Sequence, residues 1–249
     1  MKGMEVIAAI NLPPESRVDQ RVLKKLLVEN GAPTAADKRQ INEGIEELLW
    51  LAALKPTTIG VPEYRDDVRE YLEIAVLSLI LRPTAKVGRL VELVHRAIPY
   101  PVVLSTEQSR LVTLSLAHKR WSLGEGGKMV LDDAVAHCEL ADHSALPSFL
   151  GSLKLASQPR THLMALYQGW INCLEAFQAA CITGTFVLPT NAEAASARCE
   201  ALVEHDRLTR QITALRAQAE RESQMSHRVE LNLEIKRLES GLAEARAHL

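Results

Sequence analysis

The stretch Tyr71 to Leu81, YLEIAVLSLIL, decides the fold. Ile74, Val76, Leu77, Leu79, Ile80 and Leu81 fall on both parities, so a strand here is apolar on both faces. That pattern reads as a central strand, not an edge. Arg82-Pro83-Thr84 then opens a helix in which Val87, Leu90, Val91, Val94 and Ile98 recur at helical spacing. Thr84 offers the N-cap, and Pro99 and Pro101 end the run. Downstream, 101–105 and 110–118 read as a hairpin turning at Glu107-Gln108-Ser109, and the turn Gly124-Glu125-Gly126-Gly127 leads into a strand over about 129–140. Upstream, a short helix is expected from about Asp19 to Glu29, closed by Gly31 and Pro33. A second helix is expected over 35–54, with Ile41, Ile45, Leu48, Leu49 and Ala52 on one face. Pro56 stops it, and Thr57 to Val61 reads as a short strand. The expected fold class is α+β: a mainly antiparallel sheet with helices covering one face, followed by an all-helical C-terminal part.

That C-terminal part carries the strongest functional signal. Helices are expected over 144–155 and 162–183, and Gly184 and Pro189 mark a hinge before two amphipathic arms. Leu231, Ile235, Leu238, Leu242, Ala245 and Leu249 follow a heptad rhythm, matched by Leu208, Ile212, Leu215 and Ala219 in the first arm. The rhythm lapses over 222–226, so the arms read as an antiparallel, coiled-coil-like hairpin. Such a seam is also what a tail folding back on its own domain would show. Residues 198–249 hold nine Lys or Arg and nine Asp or Glu, a neutral, salt-bridged surface unlike an arm built to neutralise phosphates. The organisation expected is a head domain over 1–143, a helical segment over 144–189 packing on it, and the hairpin over 190–249.

Composition bounds the remaining possibilities. The chain has 249 residues, 47% of them hydrophobic and 24% charged, with a net charge of -2, so disorder and bulk attraction to nucleic acid or anionic lipid are not written into it. Cys138, Cys173, Cys181 and Cys199 form no C-x-x-C pair, and the N-terminus lacks an apolar core long enough for a signal peptide. A cytoplasmic chain with reduced thiols and no membrane span is expected.

Three stretches resemble the bacterial family called domain of unknown function 4391. They are Lys24-Lys25-Leu26-Leu27 through the 38–50 helix into Leu54-Lys55-Pro56-Thr57-Thr58-Ile59, the segment Ala97-Ile98-Pro99-Tyr100-Pro101-Val102-Val103-Leu104, and Arg228 to Leu238, RVELNLEIKRL. The resemblance spans nearly the whole chain and brings no catalytic signature with it. It implies an accessory subunit, because members look to be encoded beside helicases and DNA methyltransferases in restriction-like antiviral islands.

Chemistry-bearing clusters are few. His137-Cys138-Glu139-Leu140-Ala141-Asp142-His143 gathers metal-capable groups, but strand alternation puts His137 and Glu139 on one face and Cys138 on the other. Gly124 to Lys128 imitates a phosphate cradle, yet Met129 stands where a P-loop needs Ser or Thr. Asp66, Asp67, Glu70, Glu73, Asp132 and Asp133 are the only carboxylates that could hold divalent ions for a nuclease. Lys119-Arg120-Trp121 pairs two cations with a stacking surface, a candidate nucleic-acid contact, and Arg82, Lys86, Arg89 and Arg96 add positive charge around the helix that follows the central strand. Trp50 and Trp170 read as core. The resulting expectation is a non-enzymatic accessory subunit without cofactor or metal. It docks onto a helicase or DNA methyltransferase through a hairpin closed by Leu208, Ile212, Leu215, Leu231, Ile235, Leu238 and Leu242. The alternatives are a DNA-binding protein or metal-dependent nuclease subunit of the same kind of system, and a homodimer through the tail stays open because a heptad seam does not state its strand number.

Overall fold

The computed structural model describes residues 2–132 and 134–249. In chain order the head runs α1 (Gly3–Ile10), β1 (Arg17–Arg21), α2 (Lys24–Gly31), α3 (Ala35–Gly44), β2 (Ile45–Leu54), α4 (Pro56–Ile59), β3 (Tyr64–Arg65), β4 (Glu70–Tyr71) and β5 (Ile74–Leu81). It continues through α5 (Val87–Ala97), β6 (Val102–Gln108), β7 (Leu111–Leu116), β8 (Lys119–Trp121), β9 (Met129–Leu131), β10 (Ala136–Glu139) and α6 (Leu146–Ser152). Three long helices follow: α7 (Leu163–Thr183), α8 (Ala192–Arg221) and α9 (Met225–Ala247). Two compact units divide the chain at 174/175, inside α7.

The fold class is α+β, built on a six-stranded sheet in the order β1-β2-β5-β6-β7-β10. Every neighbouring pair is antiparallel except β5 and β6, which run parallel because α5 carries the chain back between them. The central-strand reading of Tyr71 to Leu81 holds over Ile74–Leu81, where residues 74–79 are all buried. Ala75, Leu77, Leu79 and Leu81 meet Leu27, Ile41, Leu90 and Val94 in one cluster with α2, α3 and α5. On the opposite face of β6, Ser105 Oγ donates to Gly3 O at 3.2 Å and Gly3 N donates to Glu107 Oε2 at 3.0 Å, which seats α1 there. Helices therefore cover both faces, not one, as a strand apolar on both parities demands.

Several local expectations are corrected. The helix read over 35–54 stops at Gly44, and Ile45–Leu54 is strand β2, paired with β1 on one side and β5 on the other. A short apolar run satisfies both periodicities, and tertiary pairing chose the strand. At Gly44 a Cβ would lie 2.8 Å from Leu90 Cδ1 and 3.1 Å from Ala85 Cβ, so α5 and the residues before it pack closely on the point where α3 ends. Residues 57–59, read as strand, form the single turn α4, with Lys55 N donating to Thr58 Oγ1 at 2.9 Å and Gly60 in the left-handed region at φ 65°. The N-cap of α5 is Lys86 rather than Thr84. The strand expected over 129–140 is two pieces, β9 pairing with β8 and β10 with β7. The helix expected from about Asp19 to Glu29 begins only at Lys24, and its first residues belong to strand β1; helix α1 is an element the sequence pattern does not announce.

Candidate functional site

A cleft of about 860 Å³ opens on the α5 face of the sheet. Its floor is set by strand parity: Thr106 on β6, Thr113 on β7 and Glu139 on β10 stand side by side in register and all line it. His137 joins them from two residues back on β10. One wall is α5, which presents Val87, Val91, Glu92 and Arg96 at helical spacing, and Leu131 and Val135 line the remainder. Glu92 accepts from Arg89 at 2.8 Å and from Arg96 at 2.5 Å, and Arg89 also holds Asp37 in a bidentate pair at 2.8 and 2.9 Å. The Arg89 and Thr34 hydrogen bonds draw the Asp37 carboxyl down to about 2.

Four of the six carboxylates proposed for metal chemistry, Asp66, Glu70, Glu73 and Asp132, are spent on structure. Asp66 accepts from Val68 N at 2.8 Å, Arg69 N at 2.5 Å and Tyr64 OH at 2.6 Å, which closes the turn between β3 and β4 and holds its carboxyl below the usual range. Glu70 pairs with Arg65, and buried Glu73 pairs with Lys55 at 3.0 Å. Asp132 binds Arg69 at 2.8 Å and Arg120 at 3.2 Å. Asp67 is exposed, and Asp133 lies outside the described residues. Among the described residues no three His, Cys, Asp or Glu side chains gather in a metal-binding group.

The nucleic-acid reading of Lys119 is corrected. Lys119 is 1% exposed, and its ammonium donates to His95 O at 2.5 Å and to Ile98 O, the terminal carbonyls of α5. A helix end leaves such carbonyls without partners, so the lysine caps the helix and cannot reach a phosphate. Burial pushes this ammonium down to about 7, and burial beside Lys119 pushes the His95 ring down to about 3. His95 Nε2 meets Ser115 Oγ at 3.0 Å, with both residues fully enclosed. Arg120 is held by Asp132 and Trp121 is half-buried. Gly124 to Lys128 is a hairpin turn between β8 and β9, closed by Ser122 N to Lys128 O at 2.8 Å.

In the second unit α8 and α9 pack as a helical hairpin. Asn191 Oδ1 caps α8 by accepting from Ala194 N at 2.8 Å. Leu208, Ile212 and Ile235 are buried, while Leu215, Leu231, Leu238 and Leu242 are half-buried. Arg216 bridges to Glu239 at 2.7 Å across the two helices, and a Cβ at Gly241 would touch Leu208 Cδ1 at 3.5 Å. Met225, Val229 and Leu233 recur every four residues on α9 and are 65%, 50% and 64% exposed. At about 100° per residue Val229 and Leu233 lie about 160° round the helix from its seam, and Met225 about 120°. Val203 of α8 is likewise 65% exposed.

The fold and these surfaces define a mixed α+β head with a helical hairpin, and no helix among the described residues is long and apolar enough to cross a membrane. The chain belongs to the family described as domain of unknown function DUF4391, whose model matches residues 10–242. No curated protein and no solved structure matches it. Sequence reasoning passed over the cleft because its residues come from four separate segments. The one available signal was the shared face of His137 and Glu139.

Proposed function

We propose that this protein is a non-enzymatic accessory subunit that docks through the α8–α9 hairpin onto a larger partner, a helicase or DNA methyltransferase. The observation that carries the reading is the hairpin's double apolar character. Its seam is closed by Leu208, Ile212 and Ile235, so Val203, Val229 and Leu233 are not needed to hold the helices together and face solvent. Exposed aliphatic side chains rimmed by charges are what a docking helix presents. The charges around them are partly committed within each helix, as in Arg207–Glu204 at 2.5 Å and Arg210–Asp206 at 2.6 Å, and set partner choice more than affinity. The partner class rests on the resemblance described above and on family membership.

The test is affinity purification of the tagged chain from its native host, followed by mass spectrometry. Wild type is compared with a chain ending at Thr190 and with the double variant Val229→Glu, Leu233→Glu. A helicase or methyltransferase recovered with wild type and lost from both variants is the expected result. Equal recovery with all three, or recovery of neither enzyme class with wild type, refutes the reading. The double variant must keep its helical circular dichroism, because the substituted side chains are exposed.

A further inference from the structure

We infer that the cleft on the α5 face binds a small organic amine with an apolar body. This goes beyond the docking role, which belongs to the other unit of the chain. A volume of about 860 Å³ lies inside the range of small-molecule sites, about 300–1,000 Å³. Val87, Val91, Leu111, Leu131 and Val135 supply an aliphatic lining for the body of such a molecule.

The polar groups say which head the molecule carries. Thr106 is 1% exposed and its hydroxyl finds no hydrogen-bond partner among the described residues, although it lines the cleft. A buried hydroxyl left unpaired is costly, so a polar group on a ligand completes the floor. Gln108 commits Nε2 to the carbonyls of Arg82 at 2.9 Å and Ala85 at 2.8 Å, which leaves the acceptor Oε1 as the part of that amide able to serve a ligand. Glu92 is neutralised by two arginines, whereas Glu139 has no ion-pair partner among the described residues. Arg89 and Arg96 are balanced by Asp37 and Glu92, so Glu139 is the lining carboxylate left without a cationic partner among the described residues. Acceptors thus outnumber donors, and the unmatched carboxylate selects an ammonium. A metal ion is a poor fit, since most of the lining is aliphatic and no three metal-capable side chains converge among the described residues.

The experiment uses the purified full-length chain, titrated with tryptamine, with octylamine, and with indole-3-propionic acid, which replaces the ammonium of tryptamine by a carboxylate. Isothermal titration calorimetry gives affinity, and amide chemical shifts locate the site. Saturable binding of at least one amine is expected, at least about tenfold tighter than the acid. Glu139→Gln should weaken the amine by about tenfold, and Thr106→Val should weaken it less. Glu139 is exposed, so its variant keeps the wild-type melting temperature and reports on binding alone. Equal affinity for amine and acid, indifference to Glu139→Gln, or no saturable binding of either amine overturns the inference. None of these results bears on hairpin docking, which is read from partner recovery.

Discussion

The head and the hairpin bury apolar surface in opposite ways. In the head, β5 is enclosed from both faces, and Leu77 meets neighbours contributed by segments far apart in sequence. In the hairpin, the seam is one residue deep: Leu208, Ile212 and Ile235 are buried, but Leu215, Leu238 and Leu242 keep part of their surface in water. A closed three-layer core resists single changes until it fails as a whole, whereas a seam of successive turns can open locally. Stability in this chain should therefore live in the head and adaptability in the hairpin.

The sharpest way to break that contrast is Leu77→Ala. Leu77 is 0% exposed, so the change should cost about 2–5 kcal/mol and lower the denaturant midpoint of the whole head. A cost below about 1 kcal/mol would mean that the sheet is not the stabilising centre.

Lys119→Met comes next. It leaves the carbonyls of His95 and Ile98 buried without their donor, which should cost about 1–3 kcal/mol in the same denaturation experiment. Its pH signature has a definite sign. The folded ammonium titrates near 7 against an ordinary 10.5, so the unfolded chain binds more protons between those values and this group makes stability rise with pH through that window. Wild type should gain stability relative to Lys119→Met as pH rises from 7 towards 10.5. The buried His95 ring, at about 3 against 6.5, likewise loses stability for the head as pH falls below 6.5, and His95→Gln should flatten that acid limb.

Leu238→Asp sharpens the hairpin side. A charge placed in the half-buried seam should cost about 1–2 kcal/mol of local stability and reduce helical ellipticity, while the head's unfolding midpoint stays put. Loss of both transitions together would show that the two units fold as one. The smallest effect belongs to Arg216→Ala. Arg216 and Glu239 are exposed, so removing the bridge should change hairpin stability by less than about 1 kcal/mol, seen as a small shift in its thermal midpoint.

Reading the sequence worked where one local period dominates. The double parity of Tyr71 to Leu81 gave the central strand, and the spacing of Val87, Leu90, Val91 and Val94 gave α5. The heptad rhythm lapses over 222–226, an interval that contains the 222–224 break between α8 and α9 but also takes in the first two residues of α9. It failed at Ile45 to Leu54 and at Thr57 to Ile59, where a short apolar or Thr-rich run fits two structures and the neighbours decide. The site was less legible still. Lys119 reads as a surface cation in sequence, and only the end of α5 above it turns it into a buried cap. Thr106, Glu139 and Arg96 give no common signal, since they converge only after β6, β7 and β10 align beside α5.

Sequence alone determined the α+β class, the central strand and the long C-terminal helices, because each rests on a periodicity that neighbouring residues enforce on one another. The tertiary structure decided the parallel pairing of β5 with β6, the conversion of Ile45–Leu54 into a strand, the burial of Lys119 and the existence of the cleft. Those features depend on which distant segments meet, and the free energy that selects them belongs to the contact between segments, not to either segment alone.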